Sequence, residues 1–186
     1  HRFGRNRNAD IQDLKKYGVE FGFEVEEISA QQLDEVSVSS TKIRKALAKG
    51  DIYTANTYLG YPFTITGTVT KGKALGRTIG YPTANLHVPQ TYKLIPKNGV
   101  YVVKAIIQNT ITYGITSIGT NPTVGGTAKS IETFFLDTNT DLYNKQLQLQ
   151  FLQHIREEAT FKDLEGLKKA IQKDEAFARD YIQSLA

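Results

Sequence analysis

The chain has 186 residues, of which 40% are hydrophobic and 23% charged, with a formal net charge of +4. No apolar run approaches the roughly 20 residues that span a bilayer, and neither a signal peptide nor a transmembrane segment is visible. There is no cysteine, which excludes disulfides, thiolate catalysis and cysteine-ligated zinc. The composition is that of a soluble globular protein, for which the cytoplasm is a fitting compartment. Its length suits one domain, or one domain and part of another. With no methionine anywhere and an opening of HRFGRNRNAD, the chain is expected to be a piece of a longer one.

In chain order, DIQDLKKYGVEFG sets Ile11, Leu14 and Tyr17 at helical spacing and ends in glycine, which predicts a helix. FEVEEIS alternates like a short strand. In VSVSSTKIRKALAKGDI, Ser40 or Thr41 is the expected N-cap of a helix with Ile43 and Leu47 on one face. Gly50 should stop it, and DIYTANTYLG makes a second short helix.

From Tyr61 the pattern changes. FTITGTVT, GVYVVKAII, TITYGITSIG, SIETFFLD and KQLQLQFLQHI are β-branched or aromatic runs of strand length, with QNTI a candidate hairpin turn. Five or six such strands, with no helices between them, predict an antiparallel barrel or sandwich. The tail becomes helical again, with Phe161, Leu164, Leu167 and Ile171 in an apolar stripe. The domain boundary falls near Gly60, giving segments 1–60 and 61–186.

Charge is unevenly spread. No Asp or Glu occurs between Asp51 and Glu132, while Lys71, Lys73, Arg77, Lys93, Lys97, Lys104 and Lys129 fall in that window. A field of one sign over this much chain points to an anionic partner, or else to a solvated basic surface. Within it, KGKALGRTIGYPTANL holds Gly72, Gly76 and Gly80 four residues apart among cations. Such glycines let backbone N–H groups turn toward phosphate oxygens, with cations as clamps, but they also mark bulges and flexible hairpins. The spacing is neither a P-loop nor GxGxxG.

Thr83 and Asn85 follow directly, two apart, so on an extended segment they share a face. A hydroxyl and an amide oxygen are hard neutral ligands suited to Mg²⁺, whose other contacts come from water and phosphates. A side-chain-stabilised turn after Pro82 is the alternative. Glu132, the first acid after eighty residues without one, shares a strand face with Phe134 and Leu136. A carboxylate among apolar neighbours is costly to bury unless paired, and such a setting commonly makes a general base; a rim glutamate paired with a lysine is the alternative. Loop, metal pair and base together fit phosphoryl transfer to an alcohol. Two other classes remain: a basic barrel stacking single-stranded nucleic acid, and a non-catalytic flavin- or nucleotide-binding module, which would not require Glu132.

The series GRTIGYPTANL, NGVY, SIGTNPTVGG, IETFFLD, DLY and IREEATF resembles, in that order, the C-terminal riboflavin kinase module of the bacterial bifunctional riboflavin kinase/FMN adenylyltransferase family. The resemblance covers nearly the whole chain. It implies an α+β chain: a six-stranded antiparallel Greek-key β-barrel with a C-terminal helix, preceded by part of an α/β nucleotidyltransferase domain. The implied reaction moves the ATP γ-phosphate to the ribityl 5′-hydroxyl of riboflavin, giving FMN, with Mg²⁺ as cofactor and no nucleic-acid or membrane partner. By match to the motifs, Thr83 and Asn85 would contact Mg²⁺ and phosphate, and Glu132 would be the catalytic base. Gly72, Gly76 and Arg77 would form the nucleotide loop, with Tyr143 near the nucleotide and Arg156 and Phe161 lining the flavin site. Asn144 stands where members commonly have glycine.

Residues 1–50 resemble the end of the adenylyltransferase domain through HRFG and VSSTKIR, which makes Ser39, Ser40, Thr41, Lys42 and Arg44 a remnant phosphate site. Lys42, Arg44 and Lys45 crowd a helix first turn, which the macrodipole disfavours without an anion, although a tolerated surface charge explains them equally. The family's HxGH-type motif is absent, and His1, His87 and His154 lack its spacing. The chain as given is therefore expected not to make FAD.

Overall fold

A computed structural model describes residues 9–27, 32–33, 36–72, 75–123, 126–138 and 140–185. The chain forms two compact units, 1–38 and 39–186. In the first, helix α1 (Ile11–Phe21) starts at a reciprocal cap: Asp10 accepts from the Gln12 and Asp13 amides while Asp13 accepts from the Asp10 amide. Residues 23–27 are not the strand their alternation predicted. The Phe23 N–H turns back onto the Gly18 carbonyl at 3.0 Å to close the helix, so that stretch joins no ladder. Two-residue strands β1 (Gln32–Leu33) and β2 (Val36–Ser37) pair antiparallel.

The second unit opens with α2 (Ser40–Lys49) and α3 (Ile52–Leu59). The N-cap of α2 is Ser39, not Ser40 or Thr41: its extended backbone lets the hydroxyl accept from the Lys42 amide at 3.3 Å. Gly50, at φ 79°, stops the helix as expected. The Asn56 carboxamide then ties α3 to the barrel, accepting from the Phe63 amide at 2.7 Å and donating to the Phe151 carbonyl at 2.9 Å.

Six strands follow: β3 (Thr64–Thr70), β4 (Ala84–His87), β5 (Gly99–Ile107), β6 (Thr110–Thr123), β7 (Gly126–Phe135) and β8 (Gln146–Arg156). They close into an antiparallel barrel in the order β3-β4-β7-β6-β5-β8. β5, β6 and β7 succeed one another as neighbours while β4 lies beside β7, reached by a long connection, which is a Greek key. The expectation of no helix between strands fails once, at the single turn α4 (Leu75–Thr78) between β3 and β4. QNTI is a hairpin turn, with Gln108 and Asn109 both at positive φ.

Alternation sorts the strand residues between two cores. Tyr101, Val103, Leu149 and Phe151 fill the barrel, whose packing extends to Leu47, Ile52 and Ala55 of α2 and α3. Val100, Val102 and Ile115 point outward under helix α5 (Leu164–Gln183), against Ala178. β5 is therefore covered on both faces, and GVYVVKAII reads as a nearly unbroken apolar run for that reason.

Candidate functional site

The site forms where β4, β7 and the glycine loop meet. Pro82 precedes a short extended stretch, and the register sets Asn85 of β4 directly opposite Glu132 of β7. Facing residues across a ladder stand on the same side of the sheet, so the carboxamide and carboxylate are neighbours. Thr83, just ahead of β4, donates its hydroxyl to Glu132 Oε2 at 3.4 Å. The Thr83–Asn85 pair and Glu132, two signals far apart in the sequence, thus converge. Glu132 is half-buried, and its strand partner on the other side is Ser117 of β6.

The glycine loop closes onto this group. A Cβ on Gly72 would overlap the carboxamide of Asn85, so the bare backbone is what lets the loop lie against that side chain. A Cβ on Gly76 would strike the Tyr81 carbonyl oxygen, at the point where the Tyr81 N–H donates to the Gly76 carbonyl at 2.8 Å. That bond folds the loop back from α4 to the Pro82-Thr83 stretch. It leaves the exposed Arg77 on α4 facing the same cleft as Thr83, Asn85 and Tyr143.

A pocket of about 340 Å³ continues from the cleft, lined by Arg77, Thr83, Thr133, Thr138, Leu142 and Tyr143 among others. Its volume falls in the range of small-molecule sites. Thr133 and Leu142 lie within IETFFLD and DLY but were not singled out there, and Thr138 belongs to neither. The alternation of β7, which turns Thr133 inward beside Glu132, is the signal that could have drawn attention to it. Thr133 is buried and shares a 2.7 Å hydroxyl–hydroxyl bond with Thr116.

Much of the cationic window lies elsewhere. Lys97 pairs with Glu157 at 2.7 Å, and Lys129 donates to the Pro96 carbonyl at 2.8 Å, where burial pushes its ammonium pKa down. Lys73 lies outside the described residues. Lys71 and Arg77 are the cations described in the loop itself. Among the described residues no group of three His, Asp or Glu forms a metal site. Thr83, Asn85 and Glu132 supply oxygen donors with a single carboxylate, a set that fits Mg²⁺ only when phosphate oxygens and water complete the shell.

Arg156 and Phe161 come together at the junction of β8 and α5. Arg156 donates through Nε and Nη2 to Asp174, each at 2.8 Å, and its guanidinium lies 5.7 Å from the Phe161 ring centre. Its fork is therefore turned to α5, while Phe161 stays half-exposed. On α2, Ser40 accepts from Arg44 Nη1 at 3.3 Å, and the first turn holds no acid. Ser39, Ser40, Thr41, Lys42 and Arg44 all sit at that helix start, with Thr41 exposed. His87 is exposed, and His154 packs edge-on against Tyr101 with ring centres 5.0 Å apart.

The site thus groups a hydroxyl, a carboxamide and a carboxylate beside a cationic glycine loop on a closed six-stranded barrel. Residues 59–182 match the family model described as Flavokinase: Riboflavin kinase, and the chain belongs to the riboflavin kinase family. It is 40% identical over 182 residues to the bifunctional riboflavin kinase/FMN adenylyltransferase of Escherichia coli, an alignment covering 97% of this chain and 58% of that protein. The protein of the same name from Listeria monocytogenes is 39% identical over 184 residues, covering 98% and 58%. A solved structure described as a macrolide-efflux protein from Streptococcus pneumoniae superposes with a TM-score of 0.85 at 34% identity, covering 96% of this chain and 57% of that one. The chain thus spans less than two thirds of the length of these relatives. No described helix is long and apolar enough to cross a membrane.

Proposed function

We propose that this chain transfers the γ-phosphate of ATP to the ribityl 5′-hydroxyl of riboflavin, giving FMN and ADP. The observation that carries the reading is the convergence of Thr83, Asn85 and Glu132 at the mouth of a nucleotide-sized pocket. The base of ATP enters the pocket beside Tyr143, and its phosphates run to the cleft under Gly72 and Arg77. Arg77 offsets phosphate charge. Thr83 and Asn85 would hold Mg²⁺ by their side-chain oxygens. Bound there, the ion would neutralise charge developing on the transferred phosphoryl group. Glu132 orients the 5′-hydroxyl and takes its proton as the new O–P bond forms, and the Thr83 hydroxyl fixes the carboxylate's rotamer.

Riboflavin lies on the other side of Glu132, toward Phe161 and the β8–α5 junction held by Arg156. In this reading residues 1–60, ahead of most of the family match, are the C-terminal remnant of an adenylyltransferase-like domain and linker helices. Of these, α2 and α3 pack with the barrel, and the Ser39–Arg44 turn is the remnant phosphate site. The longer protein would also adenylylate FMN, as the names of its relatives indicate for them. The donor set speaks for phosphoryl transfer over nucleic-acid or purely flavin binding, neither of which needs Glu132 opposite Asn85.

Incubation with riboflavin, ATP and Mg²⁺, followed by chromatography of the flavins, tests the reaction. The wild-type chain should form FMN, and Glu132→Gln should lower kcat by roughly 10²–10⁴-fold. Absence of FMN with the wild type overturns the reaction; full turnover by the variant overturns the base.

A further inference from the structure

One wall of the nucleotide pocket is braced in an unusual way. The segment leaving β7 begins at Asp137, which holds φ 55°, and passes Thr138, Thr140, Leu142 and Tyr143 before rejoining the barrel. At its far end it is anchored by backbone bonds, Asn144 N–H to the Val69 carbonyl at 2.9 Å and Val69 N–H to the Lys145 carbonyl at 3.0 Å. Between the anchors it has a cavity on each side. Thr138 and Thr140, joined by a 3.1 Å hydroxyl bond, line both the nucleotide pocket and a second cavity of about 510 Å³ toward the end of α5. Leu142 packs against the barrel core, while Thr138 and Thr140, which border both cavities, gain less position from packing.

Its near end leaves β7 through buried Leu136, whose N–H donates to the Tyr113 carbonyl at 2.9 Å, and the next residue is held by a bidentate ion pair from α5. Arg179 Nη1 and Nη2 donate to the two Asp137 carboxylate oxygens at 2.9 and 2.8 Å. The same guanidinium is oriented by Glu175, one turn earlier, which accepts from Nε at 3.0 Å and from Nη2 at 2.8 Å. Glu175 also faces the Tyr81 hydroxyl, whose pKa is raised by burial and then by that carboxylate. Tyr81 leads into Pro82 and Thr83, which line the opposite side of the pocket. The wall that carries Asp137 is thus held from α5 by one guanidinium.

We propose that Arg179 is a positioning residue for the nucleotide: by holding Asp137 it sets the position of that wall of the ATP pocket without touching ATP. The inference rests on the nucleotide occupying that pocket. It predicts an effect confined to one substrate, because the flavin side, at Phe161 and the start of α5, is anchored separately by Arg156 and Asp174.

The test measures KM for ATP and for riboflavin, calorimetric binding of ADP, and melting temperature for the wild type, Arg179→Lys, Arg179→Gln, Asp137→Asn and the Asp137→Asn/Arg179→Gln double variant. Arg179→Gln and Asp137→Asn should each raise KM for ATP and weaken ADP by about 10-fold, with KM for riboflavin within about twofold. The double variant should be no worse than either single one, as members of one coupled pair behave. Lys, which keeps the charge but not the fork, should be intermediate. Unchanged KM for ATP, or equal increases for both substrates that track a falling melting temperature, overturns the inference. A wild-type chain that binds no ADP overturns the functional reading, and this inference with it.

Discussion

β4 and β5 are walls of one barrel held in opposite ways. β5 has nine residues, is paired along its whole length with β6, and is covered inside by the barrel core and outside by α5. β4 has four residues, of which Leu86 alone is buried, and it meets β7 only at Ala84 and Asn85. Yet β4 carries the candidate metal ligand, while β5 supplies none of the proposed catalytic groups. A short ladder leaves room for a glycine loop to fold over the edge and for substrate to approach. The long, doubly covered strand supplies the rigidity against which that edge is positioned.

This contrast separates the effects of mutation. Phe151→Ala, on the β8 neighbour of β5, removes a fully buried ring packed against Phe63 and Tyr101, and should cost about 3–5 kcal/mol in denaturant unfolding. Its KM for ATP, measured well below the melting point, should stay near wild type. Asn85→Ala should do the reverse, lowering kcat/KM by about 10–100-fold with little change in melting temperature. If Asn85→Ala unfolded the chain as readily as Phe151→Ala, β4 would be a structural strand like β5 and the contrast would collapse.

Thr116→Val probes the boundary between the two regions. It would leave the Thr133 hydroxyl, buried beside the pocket, without its partner, at a cost of about 1–3 kcal/mol in thermal unfolding. Replacing both residues by valine should recover part of that loss.

The smallest effect belongs to β5. Burial, and then the Glu157 carboxylate, push the Tyr101 hydroxyl from 10.0 up to about 12. Between those values the unfolded chain has released a proton that the folded one keeps. Stability should therefore be flat below pH 10 and decline from there toward pH 12. Tyr101→Phe should flatten that part of the profile in melts taken across alkaline buffers.

The same contrast marks what could be read from sequence. GVYVVKAII was legible as a strand because two-sided burial leaves an apolar run, and Gly50 was a legible stop because it adopts the left-handed conformation. ANLH has no such pattern; Thr83 and Asn85 were found through residue chemistry and resemblance, and their meeting with Glu132 depends on a register that no local pattern encodes. FEVEE alternated without becoming a strand, since alternation needs a partner ladder to matter. Arg179 was invisible because its partner Asp137 lies 42 residues away, across a connection whose geometry only the closed barrel defines.

The central claim is that Glu132 acts on the ribityl hydroxyl. It is tested most directly by the distance from its carboxylate to the 5′-oxygen in a crystal structure with ADP, Mg²⁺ and FMN. The account predicts about 2.6–3.2 Å, allowing for the phosphate now on that oxygen through its ester position or one bridging water. A separation beyond roughly 5 Å with no bridging water, and another acid or base in contact with that oxygen, would contradict it.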